Sequence, residues 1–262
     1  MISRKTAEEI ELLRESNLLV SKTLAEVARN IRPGISTRAL DRIAEQFIRD
    51  HGGVPAFLGY RGYPATLCTS VNSVVVHGIP SEYQLKEGDI ISVDCGVILN
   101  GYVGDSAYTF PVGPISSGVF NLLKVTYESL FFGIQQAVEG KRVGDIGYAV
   151  QAHAEQNGFS VVREMVGHGI GKRLHEEPEV PNYGRRGTGA KLRQGMTICI
   201  EPMINMGTRF IVQENDGWTI RTSDNLPSAH YELAVAVGKE KADILSTFSY
   251  IEEVMNIFNN MQ

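Results

Sequence analysis

Residues 85–110 read LKEGDIISVDCGVILNGYVGDSAYTF, from Leu85 to Phe110. From Asp89 onward the stretch alternates about Asn100-Gly101, the strongest short signal for a two-residue type I′ hairpin turn. Such a turn sets the register: Leu99 lies opposite Tyr102, Asp94 opposite Ala107 and Gly96 opposite Asp105. Side chains two positions apart share a face, so Asp94 and Asp105 are diagonal neighbours on one face of the hairpin. Ile90-Ile91 and Val93 require that at least one face be buried, and two carboxylates this close are costly in a dry setting unless a cation lies between them.

The same pattern returns further along the chain. Leu85-Lys86-Glu87-Gly88 leads through an alternating strand to Asp94, and Leu192-Arg193-Gln194-Gly195 leads through Ile198-Cys199-Ile200 to Glu201. Helical pairs precede both. Apolar spacing predicts a helix over about residues 7–31, broken by Pro33-Gly34, and a second from the N-cap Ser36 to Gly52-Gly53. Their counterparts run from about Asn121 to Val138 and through Ile146, Ala149 and Val150 to Gly158, so Gly34 and Gly52 match Gly140 and Gly158 in spacing. A shorter echo is His77-Gly78-Ile79 against His168-Gly169-Ile170. These matches predict two halves, each of helices followed by sheet, fused into one duplicated α+β domain over residues 1–262, with antiparallel sheet, helices on its outer side and a site on the other face.

Composition narrows the setting. With 262 residues, 43% hydrophobic, 21% charged and a net charge of -5, the chain is an ordinary globular protein without the basic stripe that tracks phosphates, and bulk nucleic-acid binding is not expected. Three cysteines, Cys68, Cys95 and Cys199, are too few for a disulfide framework and fit a reducing cytoplasm. The start, Met1 to Glu9, lacks the apolar stretch of a signal peptide, and no apolar run approaches a membrane span.

Further donors accompany the two aspartates. Glu201 ends a strand equivalent to the one bearing Asp94, Glu232 sits in the strand-like run from Ala229 to Val237, and His168 lies between glycines that let backbone approach a ligand closely. Four carboxylates and one imidazole form a ligand set for two divalent metals, their negative charges balancing the ions. Oxygen-rich ligation with a single imidazole favours Mn, Fe or Co, with Zn also compatible. Gly167 to Gly171 lacks the Lys-Ser/Thr of a phosphate loop, and no Gly-x-Ser-x-Gly occurs.

Over nearly its whole length the chain resembles the methionine aminopeptidases. The resemblance is carried, in order, by Val76-His77-Gly78-Ile79-Pro80, the Asp94 to Asp105 spacing with Gly104-Asp105-Ser106, Gly167-His168-Gly169-Ile170-Gly171, His175-Glu176-Glu177-Pro178, Gly195-Met196-Thr197, Ile200-Glu201-Pro202-Met203 and Tyr231-Glu232. It implies the duplicated, pseudo-twofold "pita-bread" fold in the short bacterial type I form. By position it implies Asp94, Asp105, His168, Glu201 and Glu232 as ligands of two divalent metal ions, Asp105 and Glu232 bridging. His77 and His175 are implied to contact substrate without binding metal, His175 at the oxyanion and His77 at the scissile amide, with Glu201 as proton shuttle. Phe57, Tyr60, Tyr63, Cys68, Trp218 and, near its mouth, Leu174 are implied to line the methionine pocket.

The activity that follows is hydrolysis, by a bridging water, of the bond after an N-terminal methionine in nascent proteins and peptides with a small second residue. A monomer making transient contact with the ribosome is the accompanying expectation. Two other readings stand beside this one: a prolidase or Xaa-Pro aminopeptidase, which shares the ligand set and usually carries a separate N-terminal domain, and a metal-free binding protein on the same scaffold.

Overall fold

Helix ends form where the sequence marks them. Thr6 caps α1 (Ala7–Asn30) with its hydroxyl accepting from Glu9 N while Glu9 accepts from Thr6 N, and Ser36 caps α2 (Thr37–Asp50) by accepting from Ala39 N. In the second half α3 spans Ser117–Ile134 and α4 spans Val143–Gln156, and a short α5 (Ser249–Met255) follows. Helix α3 starts four residues before the expected Asn121 because Ser116 supplies the cap, accepting from Val119 N. The computed structural model describes residues 2–255.

The strands are β1 (Val54–Pro55), β2 (Leu67–Val71), β3 (Val74–Val76), β4 (Ile90–Leu99), β5 (Tyr102–Pro111), β6 (Ser160–Val161), β7 (Gly167–Gly169), β8 (Glu176–Val180), β9 (Thr197–Ile200), β10 (Met203–Asn205), β11 (Ile211–Gln213), β12 (Ile220–Thr222), β13 (Ser228–His230), β14 (Glu232–Ala236) and β15 (Asp243–Ile244). Nine form one antiparallel sheet in the order β1-β4-β5-β14-β9-β7-β8, with β2 also on β4 and β15 on β14. The central order β4-β5-β14-β9 is a palindrome: the two halves meet where β5 pairs with β14, and β4 and β9 flank them. This is the duplicated, pseudo-twofold pita-bread arrangement, helices on one face and a cavity on the other.

Strand periodicity sorts the residues between those faces. On β4, Ile91, Val93, Cys95 and Val97 join the helix-facing core, as do Tyr108 and Phe110 of β5, Ile198 and Ile200 of β9, and Leu233 and Val235 of β14. The intervening positions, Asp94, Asp105, Cys199 and Glu232, face the other way. Helix α1 packs on β4 and β5, and α3 on β9 and β14. Gly104 makes the first contact possible, since a Cβ there would lie 2.5 Å from Ser16 C, in the backbone of α1.

The run from Ala229 to Val237 departs from the single strand expected. It bends at Tyr231, whose N–H bonds Pro202 O, and splits into β13, which joins β10 and β6 in a separate three-stranded sheet, and β14 in the main sheet. Among the described residues no helix is long and apolar enough to cross a membrane.

Candidate metal centre and substrate cavity

The Asn100-Gly101 turn adopts the two positive φ values a type I′ turn needs, 53° and 79°, and the β4–β5 ladder pairs Asp94 with Ala107 and Gly96 with Asp105, as the hairpin register requires. On the far side of β5, Glu232 pairs with the same Ala107. Asp94 and Glu232 therefore flank one small residue in a row across three strands, with Asp105 two positions along β5. The β14–β9 register pairs Leu233 with Ile200, which continued by one residue sets Glu201 beside Glu232. Gly169 pairs with Ile198, which by the same continuation sets His168 beside Cys199. Five donors far apart in sequence thus fall on one face through strand register alone.

Supporting contacts hold these strands. Asn17, buried in α1, accepts from Asp105 N through Oδ1 at 3.1 Å, and Ser106 Oγ donates to Glu232 O at 2.6 Å. The His168 ring has a defined tautomer: Nδ1 lies 2.9 Å from Gly169 O, a carbonyl that can only accept, so Nδ1 carries the proton and Nε2 presents a lone pair. That lone pair faces Glu201 Oε1 at 3.5 Å and Asp105 Oδ2 at 3.7 Å. Acceptors converging at these separations cannot satisfy one another.

Other atoms in the cluster are equally unsatisfied. Asp94 Oδ1, Asp105 Oδ1 and Glu232 Oε1 are buried with no hydrogen-bond partner among the described residues. Burial, then the charges of Glu232 and Asp94, pushes Asp105 far above the usual carboxylate range; burial, then Glu201 and Asp94, does the same to Glu232; burial, then Asp105 and Asp94, does so to Glu201. Asp94 is also raised by burial, against opposing hydrogen bonds from Asp105 and Cys95 N. A neutral imidazole and crowded, under-bonded carboxylates are what a divalent cation would satisfy, so the donor set fits the metal that the sequence implies. Asp105, His168 and Glu232 bring donor atoms within 4.8 Å of one another, joined by the thiol of Cys199. Cys199 was not among the expected donors; burial keeps its thiol protonated.

The cluster floors a cavity of about 280 Å³ lined also by all the expected pocket residues, Phe57, Tyr60, Tyr63, Cys68, Leu174 and Trp218, and by His77 and His175. Phe57 fits because position 96 is glycine, where a Cβ would meet its ring at 2.5 Å. Cys68 pairs across β2–β4 with Asp94, which sets it against the acidic floor. His77 has φ 60°, an uncommon conformation for a residue with a Cβ, and burial lowers its pKa. His175 stands at the rim, its Nδ1 2.9 Å from Tyr60 Oη and its ring centroid 4.3 Å from that of His168. The protein packed around it, then the charges of His168, Arg61 and His77, holds its pKa down to about 3. The cavity also includes Arg61, Val76, Glu164, Met165, Val166, Met203 and His230, which sequence reading did not single out. Of these His230 had a visible signal, its place two residues before Glu232.

Comparison with known proteins agrees with this geometry. The chain belongs to metallopeptidase family M24, whose model matches residues 11–236. A methionine aminopeptidase of Clostridium perfringens is 50% identical over 94% of this chain and 99% of its own length. The crystal structure of methionine aminopeptidase from Rickettsia prowazekii superposes with a TM-score of 0.93 at 40% identity, covering 94% of this chain and 100% of that one. A prolidase from Pyrococcus furiosus reaches a TM-score of 0.75 at 21% identity, covering 93% of this chain and 65% of its own, a likeness of fold alone. Family membership and the donor cluster together make this a divalent-metal hydrolase scaffold.

Proposed function

We propose that this chain removes N-terminal methionine from nascent proteins and peptides whose second residue is small. What supports the reading is the convergence of Asp94, Asp105, His168, Glu201 and Glu232, three of them with unpartnered buried carboxylate oxygens, at the floor of a cavity whose walls include an apolar, aromatic group. Those five residues would hold two divalent ions, drawn from Mn, Fe, Co or Zn. When bound, the ions supply Lewis-acid polarisation of the scissile carbonyl and a water acidic enough to attack it near neutral pH.

The chain's own residues do the rest. Phe57, Tyr60, Tyr63, Cys68, Leu174 and Trp218 receive the methionine side chain, where aromatic rings favour its polarisable sulfur. Glu201 takes a proton from the attacking water and passes it to the departing amine. In this reading Tyr60 Oη, 2.9 Å from Nδ1, acts as the donor there, which leaves the His175 proton on Nε2 to donate to the developing oxyanion. His77, held in its unusual backbone conformation, orients the scissile amide. One catalytic domain over residues 1–262 is part of the reading, and Met1 and residues 256–262 of it lie outside the described residues. So are a cytoplasmic monomer and a transient ribosome contact.

A peptide panel tests the proposal. Met-Ala-Ser should be cleaved by the metal-loaded protein, Xaa-Pro peptides should not, and chelation should abolish turnover. Full activity after verified metal removal would refute the metal-dependent reading, and preference for Xaa-Pro would refute the substrate.

A further inference from the structure

A buried histidine in the cavity has no part in the proposed reaction. His230, at the end of β13, is 2% exposed and lines the cavity, yet its Nε2 has no hydrogen-bond partner among the described residues. The group facing it is Glu201, whose Oε2 lies 3.9 Å from that nitrogen, while Oε1 faces His168 on its other side. No hydrogen bond to either Glu201 carboxylate oxygen occurs among the described residues, so His230 offers Oε2 a nearby donor. The two oxygens therefore stand in different surroundings, one turned to the metal ligands and the other to an imidazole outside them.

The backbone of His230 is pinned more firmly than a rim residue requires. Thr109 Oγ1 donates to His230 O at 2.7 Å and accepts from His230 N at 2.9 Å, and the β10–β13 ladder pairs His230 with Met203. Its strand belongs to the small sheet rather than to the one that carries the acids, so the imidazole approaches Glu201 from a separate support.

We infer that His230 is a positioning residue: its Nε2–H donates to Glu201 Oε2, fixing the rotation of the carboxylate so that Oε1 serves the metal side and Oε2 handles the proton. This rests on the proposed roles of Glu201 as ligand and shuttle. A hydrogen-bonding neighbour of a metal ligand commonly accounts for 10- to 100-fold in affinity or activity, which sets the scale of the effect.

His230→Leu removes the N–H and keeps an apolar volume, whereas His230→Gln retains an N–H donor. Each variant is compared with wild type in thermal melting, in Co(II) titration of the chelated protein followed by its visible absorption, and in kcat and KM on Met-Ala-Ser. His230→Leu is expected to weaken Co(II) binding or lower kcat by about tenfold or more with KM nearly unchanged, and His230→Gln to recover most of the loss. Wild-type behaviour of His230→Leu in both titration and kcat overturns the inference. So does a folded His230→Gln that falls as far as His230→Leu, since volume rather than a donor would then matter. If metal-loaded wild type cleaves no Met-peptide, the proposed function fails, while the Co(II) titrations still test His230.

Discussion

Replacing Gly104 with alanine tests how the helical layer sets the metal centre. The new Cβ would lie 2.5 Å from Ser16 C, 2.6 Å from Asn17 N and 2.7 Å from Ser16 O, all of them backbone atoms of α1. Carbon pairs pack at about 3.5–4.0 Å, so the gap is roughly 1 Å too small, and no side-chain rotation can relieve it. Either α1 or β5 must move. Overpacking of this kind costs about 1–3 kcal/mol, and a rigid backbone target argues for the upper end. For a chain of this size each kcal/mol lowers Tm by about 2–4 °C, giving an expected fall of about 6–12 °C. The displacement also opens the contact from Asn17 Oδ1 to Asp105 N, so Asp105 shifts, and a misplacement near 1 Å in a catalytic constellation costs about 10²-fold in rate. Thermal melting, metal content and kcat on Met-Ala-Ser read these effects separately. A Gly104→Ala protein that melts with wild type and keeps full turnover would refute the tight coupling of α1 to Asp105.

Gly96→Ala makes the contrasting case, because the clash is with the Phe57 ring, which can swing aside into the cavity; KM for Met-peptides should rise while Tm falls less than in Gly104→Ala. His175→Ala should lower kcat by about 10²-fold or more with metal content kept, whereas His168→Ala should lose metal, and elemental analysis beside kinetics separates the two. Chelation should lower Tm, and adding back a metal at 100 times its Kd should restore about 2.7 kcal/mol by linkage, measured by melting with and without the ion. Glu176 is paired with Lys5 at 2.7 Å, and although burial works to raise its pKa, Lys5, Arg173 N and Ser3 outweigh burial and hold it below the usual 4.5. A depressed carboxylate contributes stability that is fully present above 4.5 and fades as pH falls through its folded value, so the Tm gap between wild type and Glu176→Gln should shrink below that pH. A gap that instead widened there would reverse the sign.

The parts legible in the sequence are those written in local chemistry. Asn100-Gly101 defines its own turn, the turn defines the register, and the register alone places Asp94 and Asp105 together. Duplicated glycines and capped helices mark the two halves for the same reason. His230 stands two residues before Glu232, but that spacing alone does not separate it from a core histidine; its approach to Glu201 is made by long-range packing. The bend at Tyr231 was hidden by continuous strand propensity from Ala229 to Val237, and only the long-range bond to Pro202 O breaks the run. Cys199 looked like one more apolar strand position, and its approach to Glu232 depends on the β9–β14 pairing.

A pseudo-twofold frame explains how a central acidic site arises, but not how that site acquires a direction. The symmetry relates Asp94 on β4 to Glu201 after β9, and Asp105 on β5 to Glu232 on β14, so the four carboxylates alone would treat a peptide and its reverse alike. Direction comes from what flanks them. Beside β4 the chain supplies Phe57, Tyr60, Tyr63 and Cys68, apolar or aromatic groups around the cavity. Beside β9 it supplies His168 from β7 instead, with its tautomer set by Gly169 O. Repeated strands thus provide the acids in symmetric pairs, and divergence of the strands next to them provides an apolar wall on one side and an imidazole on the other. On the proposed reading, a methionine side chain is bound best by the first and a polar amide by the second, so the asymmetry of the flanks, more than the acids they enclose, would decide which way a peptide lies in the cavity.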